Sequence, residues 1–230
     1  MVRDLLKKAL KKPHRIPHYL YWKLKILSLQ YYYRIKFRTK TFRFQGYTYN
    51  YFYHRYNMTW QNERTVEVPI VWGIVKNHKG RILEVGNALS HYHSVTHDIV
   101  DKYEKAEGVI NQDIVDFRPF ERYDLIVSIS TMEHVGWDEN PRDSMKVLRA
   151  IENLKTLLVL GGKIIITFPL DVGFLDRWFR RGKINFTRTY YLKRISKDNR
   201  WIETDWKNVQ DCQYNVPFPC ANGLVIGEIE

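Results

Sequence analysis

Short apolar runs alternate with mixed polar segments from residue 80 onward. This alternation is typical of βαβ units and predicts an α/β domain with an open, mainly parallel sheet and flanking helices. Apolar residues recur at spacings of three and four over Pro141–Leu158, which predicts a helix there, and Gly161 and Gly162 should close it. The strands that we predict are Arg81–Val85, Thr96–Val100, Gly108–Ile110, Tyr123–Ile129, Lys163–Thr167 and Leu224–Glu228.

The N-terminal part has a helical period instead. Apolar residues and lysines alternate in helical fashion over Leu5–Lys12, and Pro13 ends this pattern. A second helix is predicted over Tyr19–Arg34, because its leucines and aromatic residues fall on one face or beside it. Since Lys23 and Lys25 interrupt the apolar residues, we expect no membrane span here.

The pattern changes from helical to alternating after residue 39. Aromatic residues at every second position from Phe42 to Tyr51, with Gly46 between two runs, predict a β-hairpin with a tight turn. Beyond the hairpin, a helix is predicted to start at Thr59 and to bend or break at Pro69 before it ends near Lys76. The polar and aromatic residues that lead into this helix suit either a lid or a plain connecting segment.

The charge of the chain is concentrated in its N-terminal part. The net charge is +12, from 37 Lys and Arg against 25 Asp and Glu. Residues 1–65 contain 15 basic and 2 acidic residues, or +13, whereas residues 66–230 contain 22 and 23, or −1. We therefore divide the chain into a basic, aromatic N-terminal extension, residues 1–65, and an α/β domain, residues 66–230.

Three interpretations of residues 1–40 remain open. Leucines with Trp and Tyr beside a lysine-rich face are typical of helices that lie in a lipid headgroup layer, which indicates peripheral membrane contact. The same helices could instead pack on the domain and leave their lysines in water. Basic residues between aromatic ones also suit nucleic acid, but this is the less favoured partner because no nucleic-acid-binding motif accompanies them.

The cysteines and acidic residues indicate neither a disulfide nor a metal. Cys212 and Cys220 lack the spacing of a zinc site, so a reducing, cytoplasmic compartment fits best. No stretch has the layout of a signal peptide. Around Glu133 and His134 the acidic residues have no ligand spacing that would hold a metal, and we predict none.

Polar residues follow four of the predicted strands at the points where these end. They are Glu84 to Asn87 after the first strand, Asp101 after the second, Asp113 after the third, and the segment from Ser130 to His134 after the fourth. Because ligands bind at the carboxyl ends of the strands in open α/β sheets, these residues should line one crevice.

The order and spacing of these segments resemble a known family. Residues 80–170, with Glu84-Val85-Gly86, Asp101, Asp113-Ile114 and the strand that leads into Glu133-His134, look like a class I S-adenosylmethionine-dependent methyltransferase. The resemblance implies a Rossmann-like fold and S-adenosylmethionine as cofactor. It also implies roles by position: Glu84, Gly86 and Asn87 near the methionine end, Asp101 on the ribose hydroxyls, Asp113 and Ile114 at the adenine, and Ser130 under the sulfonium.

Candidate catalytic groups follow from the chemistry. Methyl transfer from a sulfonium is an in-line displacement that mainly needs proximity and alignment. An alcohol acceptor also needs a base; His134 is the first candidate, because imidazole titrates near neutral pH, and Glu133 is the second. The alternative for both is that their segment packs the helix after the fourth strand. His91 and His93, just beyond the glycine turn, are further candidates.

The sequence departs from the family pattern after Gly86. Asn87, Ala88 and Leu89 stand where the family has more glycine, and the first crossover has room for a helix of only a turn or two. A scaffold that has lost the reaction is therefore the alternative. The Arg-rich, aromatic stretch from Leu175 to Asn215 should supply the late strands and an acceptor-side insertion.

These features are consistent with two functions. The first is S-adenosylmethionine-dependent O-methylation of a small or glycan-type acceptor by a cytoplasmic enzyme that also contacts a membrane surface. The second is a non-catalytic, methyltransferase-like binding module that attaches to membrane or nucleic acid through its basic N-terminal arm.

Overall fold

The computed structural model describes residues 16–230, with side chains from residue 20. Within this part, two strands form a hairpin and eight form one sheet. The predicted helix Leu5–Lys12 lies outside the described residues. The strands are β1 (Thr41–Phe44), β2 (Tyr47–Asn50), β3 (Ile82–Val85), β4 (Asp98–Val100), β5 (Val109–Ile110), β6 (Tyr123–Ile129), β7 (Leu158–Pro169), β8 (Arg188–Arg194), β9 (Trp201–Thr204) and β10 (Gly223–Ile229).

The sheet has a parallel and an antiparallel part. Its order is β5-β4-β3-β6-β7-β10-β8-β9, and the pairs from β5 to β7 are all parallel. Among themselves these five strands follow the order third, second, first, fourth, fifth, which is the arrangement of a Rossmann fold with its switch point between β3 and β6. The antiparallel strands β10, β8 and β9 complete the other edge. The predicted α/β, Rossmann-like, mainly parallel sheet is confirmed.

Helices cover both faces of this sheet. Neighbouring residues of β6 belong to different hydrophobic clusters, Ile126 to one and Val127 to the other, because successive side chains of a strand point to opposite faces. The apolar side of α3 (Lys146–Thr156) completes the first cluster and that of α2 (Arg64–Val75) the second. The helices are α1 (Ile16–Lys36), α2 (Arg64–Val75), α3 (Lys146–Thr156), α4 (Gly173–Arg180) and α5 (Trp206–Val209).

The N-terminal hairpin packs on the α2 face of the sheet. Gln45 and Gly46 form its two-residue turn, both at positive φ, as a tight hairpin turn requires. Phe42 and Phe44 are buried in the same cluster as residues of α2 and β6. The hairpin predicted from the aromatic alternation is confirmed.

Helix α1 contacts the rest of the chain near its C-terminal end. Tyr33 stacks on Phe37 and on the buried Trp60, with ring centroids 5.5 and 5.8 Å apart. The side chains of Leu24, Tyr31 and other apolar residues of the helix remain exposed. No helix in the part of the chain that the structure describes is long and apolar enough to cross a bilayer.

The start predicted for the helix after the hairpin, at Thr59, is wrong. Helix α2 begins at Arg64, after an irregular 3-10 segment over Tyr56–Gln61. Thr59 does not cap it, because its hydroxyl donates to the carbonyl of Phe52, 2.7 Å away. Pro69 lies inside the helix and has no N–H for the carbonyl of Thr65, which instead accepts the N–H of Phe52 at 3.0 Å. The proline thus leaves a carbonyl free to attach the preceding loop.

Two predicted boundaries around the fifth parallel strand are also corrected. Helix α3 is shorter than Pro141–Leu158, and Gly161 and Gly162 lie inside β7 rather than closing the helix. A register irregularity separates the pairing of Tyr123 with Leu158 from the regular pairing that begins at Lys163. Gly161 lies in the bulge that these extra residues form, and its φ is +78°. Glycine adopts this backbone angle more easily than other residues do. Strands β4 and β5 are likewise shorter than predicted.

Candidate active site

A narrow cleft lies at the carboxyl ends of β3, β4, β5 and β6. It encloses about 80 Å³ and is bounded by apolar side chains of the strand ends and by a ring of polar ones. Five predicted site residues come together here: Gly86, Asp101, Asp113, Ile114 and His134. The other residues that line the cleft are Val85, Val100, Lys102, Tyr103, Gln112, Thr131, Val135 and Glu139.

Gly86 makes the sharp turn out of β3. Its φ is +84°, and a Cβ at this position would overlap the side chain of Thr131. Only glycine fits both conditions, because it has no Cβ and adopts positive φ without strain. The turn thus brings the chain against the end of β6 and forms the floor of the cleft.

Glu84 and Asn87 are used inside the protein instead of lining the cleft. The fully buried Glu84 carboxylate accepts the N–H groups of Ala88 and Leu89, 2.8 and 2.7 Å away, and lies 2.8 Å from His97 Nε2. The Asn87 side chain accepts the Ser90 hydroxyl. The only helical element of the first crossover is the single 3-10 turn Leu89–His91, so Glu84 takes the place of a helix as the partner of these backbone groups.

Asp101 stands at the rim of the cleft with one oxygen partly free. Its Oδ1 accepts the N–H groups of Tyr103 and Glu104, both at 2.8 Å. Its Oδ2 has one long contact, 3.3 Å to the N–H of Asn87. A carboxylate oxygen with a single weak partner can still accept a hydroxyl group.

Asp113 belongs to a network of two carboxylates and two lysines. Lys102 Nζ lies 2.9 Å from both Asp113 and Glu139, and Lys146 Nζ lies 2.5 Å from the same two groups. Burial alone would raise the pKa of Asp113, but the hydrogen bonds from Lys146 and Lys102 outweigh it and lower the pKa. Ile114 beside it is buried, and its carbonyl accepts the side-chain amide of Asn153 at 2.6 Å.

A second, larger cavity of about 500 Å³ lies on the other side of His134. Its walls come from the start of α2, the end of β6, the start of α4 and the loop before β10. The residues that line it are Asn57, Glu63, Arg64, Ser130, Glu133, His134, Trp137, Pro169, Asp171, Val172, Gly173, Asp176, Arg177 and Tyr214.

Ser130 directly follows β6 and lines this larger cavity rather than the cleft. Its φ is +37°, and its hydroxyl donates to Glu67 Oε1 at 2.6 Å, which also accepts the Thr167 hydroxyl. The Arg64 guanidinium donates to the carbonyls of Ile129 and Ser130, 2.7 and 3.2 Å away. Helix α2 therefore supplies a carboxylate and a guanidinium that satisfy the polar groups at the strand ends.

Glu133 and His134 lie side by side after β6, in opposite environments. Glu133 is only 1% exposed, and its Oε2 has no hydrogen-bond partner. Burial raises the pKa of its carboxyl well above the usual range. His134 is half exposed, its Nδ1 lies 2.7 Å from Asp138 Oδ2, and its Nε2 lies 3.9 Å from Glu133 Oε1.

The other histidine candidates lie outside both cavities. His91 stacks on Tyr56, with centroids 3.9 Å apart, and lies 3.0 Å from Glu104. His93 stacks on Trp72 at 4.1 Å. Between residues 16 and 230, no group of His, Cys, Asp and Glu side chains has an arrangement that could hold a metal ion.

Sequence reasoning missed the residues that α2 contributes. Glu63 and Glu67 are buried and the Arg64 side chain is 13% exposed, all at or beside the larger cavity. The sequence instead predicted a helix from Thr59, and a lid or a connecting segment for the polar and aromatic residues that lead into it. A signal was present, because Glu67 stands within a run of apolar residues that surround the helix on all sides. A carboxylate in such a helix has to be buried, and buried carboxylates have partners or functions.

Comparisons with known proteins complete the description. No family model matches the sequence, and a search of curated proteins finds no match. Among solved structures, the chain is similar to the N-methyltransferase NodS from Bradyrhizobium japonicum WM9, crystallised with S-adenosyl-L-homocysteine. The two share 14% identity over 72% of this chain and 85% of that one, with a TM-score of 0.44.

Two further structures are similar at the same level. One is the sugar N-methyltransferase KedS8 from Streptoalloteichus sp ATCC 53650, at 14% identity over 73% of this chain and 89% of that one, with a TM-score of 0.37. The other is a possible histamine N-methyltransferase from Thermotoga maritima, at 14% identity over 69% and 86%, with a TM-score of 0.41. At 14% identity and TM-scores below 0.5, these similarities do not establish the reaction of this chain.

Proposed function

We propose that this chain is an S-adenosylmethionine-dependent methyltransferase that acts on a small polar acceptor. The observation that carries the proposal is the position of His134, which lines both the cleft at the strand ends and the larger cavity. Transfer of a group between two molecules needs their reacting atoms within about 3–3.5 Å of each other. Two compartments that meet at one titratable side chain suit a donor on one side and an acceptor on the other.

The residues of the cleft fit the cofactor by their chemistry. Val100, Ile114 and Val135 supply apolar walls for an adenine ring, and Asp101 Oδ2 has acceptor capacity for a ribose hydroxyl. At about 80 Å³ the cleft is smaller than the 300–1,000 Å³ typical of ligand pockets. Lys102 accounts for part of this, since its side chain bridges Asp113 and Glu139 beside the cleft. When bound, the cofactor supplies an electrophilic methyl group.

The acceptor belongs in the larger cavity, and oxygen is our first choice of methylated atom. His134 Nδ1 contacts the Asp138 carboxylate, which orients the ring, so Nε2 is the nitrogen available to take a hydroxyl proton. The carboxyl groups and carbonyls of the walls suit hydroxyl donors, as on a glycan-type acceptor.

Calorimetric titration with S-adenosyl-L-homocysteine tests the proposal. We expect binding by the wild type and a loss of about 10–100-fold in D101N, because the amide nitrogen replaces an acceptor with a donor. The matched control is D116N, at an exposed aspartate in the next loop. Absence of binding at millimolar ligand in the wild type would sink the enzyme proposal and favour the non-catalytic module.

We also propose that α1 contacts a lipid surface. The helix contains Lys23, Lys25, Arg34 and Lys36 but no acidic residue, and several of its large apolar side chains are exposed. Exposed apolar side chains beside basic ones are the composition of helices that lie on anionic membranes. Attachment there would keep a cytoplasmic enzyme near membrane-bound or glycan-type acceptors.

A further inference from the structure

The deep wall of the larger cavity contains more carboxyl groups than cations. Glu63 and Glu133 line the cavity and Glu67 lies behind Ser130; they are 8%, 1% and 0% exposed. The guanidinium of Arg64 lies among them, and the buried guanidinium of Arg194 interacts with Glu63. Three carboxyl groups therefore face two permanent positive charges, and the guanidinium of Arg194 donates to the carbonyls of Gln61 and Pro219 rather than to a carboxylate. Buried charges without a partner are costly, so this excess has to be neutralised.

Arg64 does not satisfy all three groups. Its two terminal nitrogens donate to strand-end carbonyls, and its contact with Glu67 Oε2 is 3.5 Å long. Glu67 uses its other oxygen for the hydroxyls of Ser130 and Thr167. Glu63 accepts only a long contact of 3.4 Å from the N–H of Ala221. Glu133 lines the cavity, and its Oε2 has no donor at all.

The remaining charges around the cavity do not cancel this excess. Asp176 is held by Arg180 at 2.8 Å, and Asp171 Oδ2 accepts the N–H of Tyr214. Arg177 is exposed at the rim, where its guanidinium lies over the Trp137 ring at 4.8 Å. A solvated guanidinium at the mouth is screened by water, whereas the carboxyl groups of the deep wall are not.

Burial favours the protonated, uncharged form of Glu63 and Glu133 when no ligand is bound. Burial raises the pKa of Glu133 well above its usual range, and burial together with Glu67 raises the pKa of Glu63. A ligand that brought its own positive charge and N–H donors would replace these protons. It would also provide Glu133 Oε2 with the hydrogen bond that the protein does not supply.

We propose that the larger cavity binds the ammonium group of an amine-bearing acceptor, with Glu133 as its anionic partner. The inference rests on the proposed function, because it names the class of acceptor for that site. His134 Nε2 lies 3.9 Å from Glu133 Oε1. A hydroxyl on the carbon next to the amine would therefore reach His134 while the ammonium group contacts Glu133. Amino alcohols, including 2-amino sugars, have this arrangement.

The test compares glucosamine with glucose by isothermal titration calorimetry. The two sugars differ at one position, an ammonium group against a hydroxyl. We expect the wild type to bind glucosamine about tenfold tighter or more, since one charge-assisted hydrogen bond of about 1.5–3 kcal/mol corresponds to that factor. In E133Q the ratio should fall to about one, and in E152Q, a control at an exposed helix position, it should stay at the wild-type value.

A second measurement uses the unaltered protein, so it does not depend on how E133Q folds. Glucosamine binding should release protons from the wall, which makes the observed heat depend on the ionisation enthalpy of the buffer. Its affinity should rise with pH until the amine itself loses its proton. Equal affinity for the two sugars, or an unchanged preference in E133Q, would overturn the proposal.

The same samples are titrated with S-adenosyl-L-homocysteine. Cofactor binding without a preference for the amine refutes the acceptor class and leaves the methyltransferase proposal standing. A Glu133-dependent preference for the amine without cofactor binding supports the amine site and refutes the methyltransferase.

Discussion

Among the residues of the cleft, Gly86 is the one at which we expect an added methyl group to be most destabilising. Its φ is +84°, and an added Cβ would overlap the Thr131 side chain. A left-handed backbone costs a residue with a Cβ about 1–2 kcal/mol, and overpacking costs about 1–3 kcal/mol more. We expect G86A to lower the free energy of unfolding by about 2–5 kcal/mol, measured by urea denaturation.

Gly108 offers the matched control for this substitution. Its φ is +78°, close to that of Gly86, but no atom lies within 4 Å of the position of its Cβ. G108A should therefore lose only the conformational part, about 1–2 kcal/mol. Equal losses in the two variants would show that Thr131 moves aside and that the contact does not define the cleft.

The Glu133 carboxyl should make stability depend on pH. Its folded-state pKa is raised above the ordinary value of 4.5, so the unfolded chain releases this proton at lower pH than the folded one. Stability is therefore lost as pH rises from about 4.5 towards the folded pKa. E133Q, which has no such proton, should melt at a higher temperature than the wild type at pH 8 and at a similar one at pH 4.

The size of this pH-dependent difference in stability follows from the linkage between protonation and folding. Each pKa difference of one between the folded and unfolded chains corresponds to about 1.4 kcal/mol. For a chain of this length, 1 kcal/mol moves Tm by about 2–4 °C. Thermal melts of the wild type, E133Q and the exposed control E152Q across this pH range measure it. If the difference in Tm between the wild type and E133Q did not change with pH, titration of Glu133 would be excluded as its cause.

For single residues, the sequence predicted where a residue lies more accurately than what its side chain binds. Asp101 and Asp113 reach the cleft because any residue that follows a parallel strand lies at the same edge of the sheet. Glu84 has the right position too, but its carboxylate turns inward to bond Ala88 and Leu89. A motif cannot reveal this, since the choice depends on how short the crossover is and on where His97 lies.

Among the elements, the loop after β4 places Lys102 beside the cleft, where its side chain bridges Asp113 and Glu139. Removal of this side chain leaves Asp113 and Glu139 paired with Lys146, so no carboxylate loses its partner. An exposed ion pair contributes about 0.2–1 kcal/mol. We expect K102A to bind S-adenosyl-L-homocysteine about two- to fivefold tighter by calorimetry.

Lys105 in the same loop is exposed and provides the control. K105A should bind like the wild type. Weaker binding in K102A alone would mean that the lysine contacts the ligand directly rather than closing the cleft against it.

Helix α1 is the element whose exposed apolar side chains we expect to contact a lipid surface. The Leu24 side chain is 66% exposed on this basic helix, whereas Leu160 is fully exposed on the bulge of β7, far along the chain. Burial of a leucine in an apolar phase is worth about 1.5–3 kcal/mol. L24A should therefore weaken partitioning to phosphatidylserine-containing vesicles by about tenfold, and L160A should not.

Vesicle flotation measures this partitioning. The wild type should bind anionic vesicles better than purely phosphatidylcholine ones, and salt should reduce the difference. If L24A and L160A float equally well, α1 does not enter the lipid surface. Salt-sensitive binding to RNA in place of vesicles would favour the nucleic-acid alternative.

Elements with strong local signals were predicted most accurately. Strand β6 has the bounds predicted from its apolar run, and the hairpin turn lies at Gly46 as expected. The start of α2 and the bulge at Gly161 were missed, because both depend on pairing with distant segments. Thr59 has the composition of a helix cap but donates to a loop carbonyl that only the folded chain brings near it.

At the scale of the whole molecule, the eight-stranded sheet lies between the two hydrophobic clusters of the described residues. Its central strands contribute to both hydrophobic clusters, and the hairpin of the N-terminal extension shares the second cluster with α2 and β6. The boundary at residue 65 thus marks a change in charge within a continuous core. We therefore expect cooperative unfolding, in which stabilisation of one site raises the free energy of unfolding of all the segments that pack on this sheet.

Ligand binding provides the test of that coupling. S-adenosyl-L-homocysteine at about 100 times its Kd should add about 2.7 kcal/mol to the free energy of unfolding, since it binds only the folded chain. Scanning calorimetry should show one transition that moves as a whole, by about 2–4 °C for each kcal/mol. Two transitions, of which only one moves, would mean that residues 1–65 unfold independently of the sheet that binds the ligand. Hydrogen exchange would then show protection gained in β3 to β7 but not in β1 and β2.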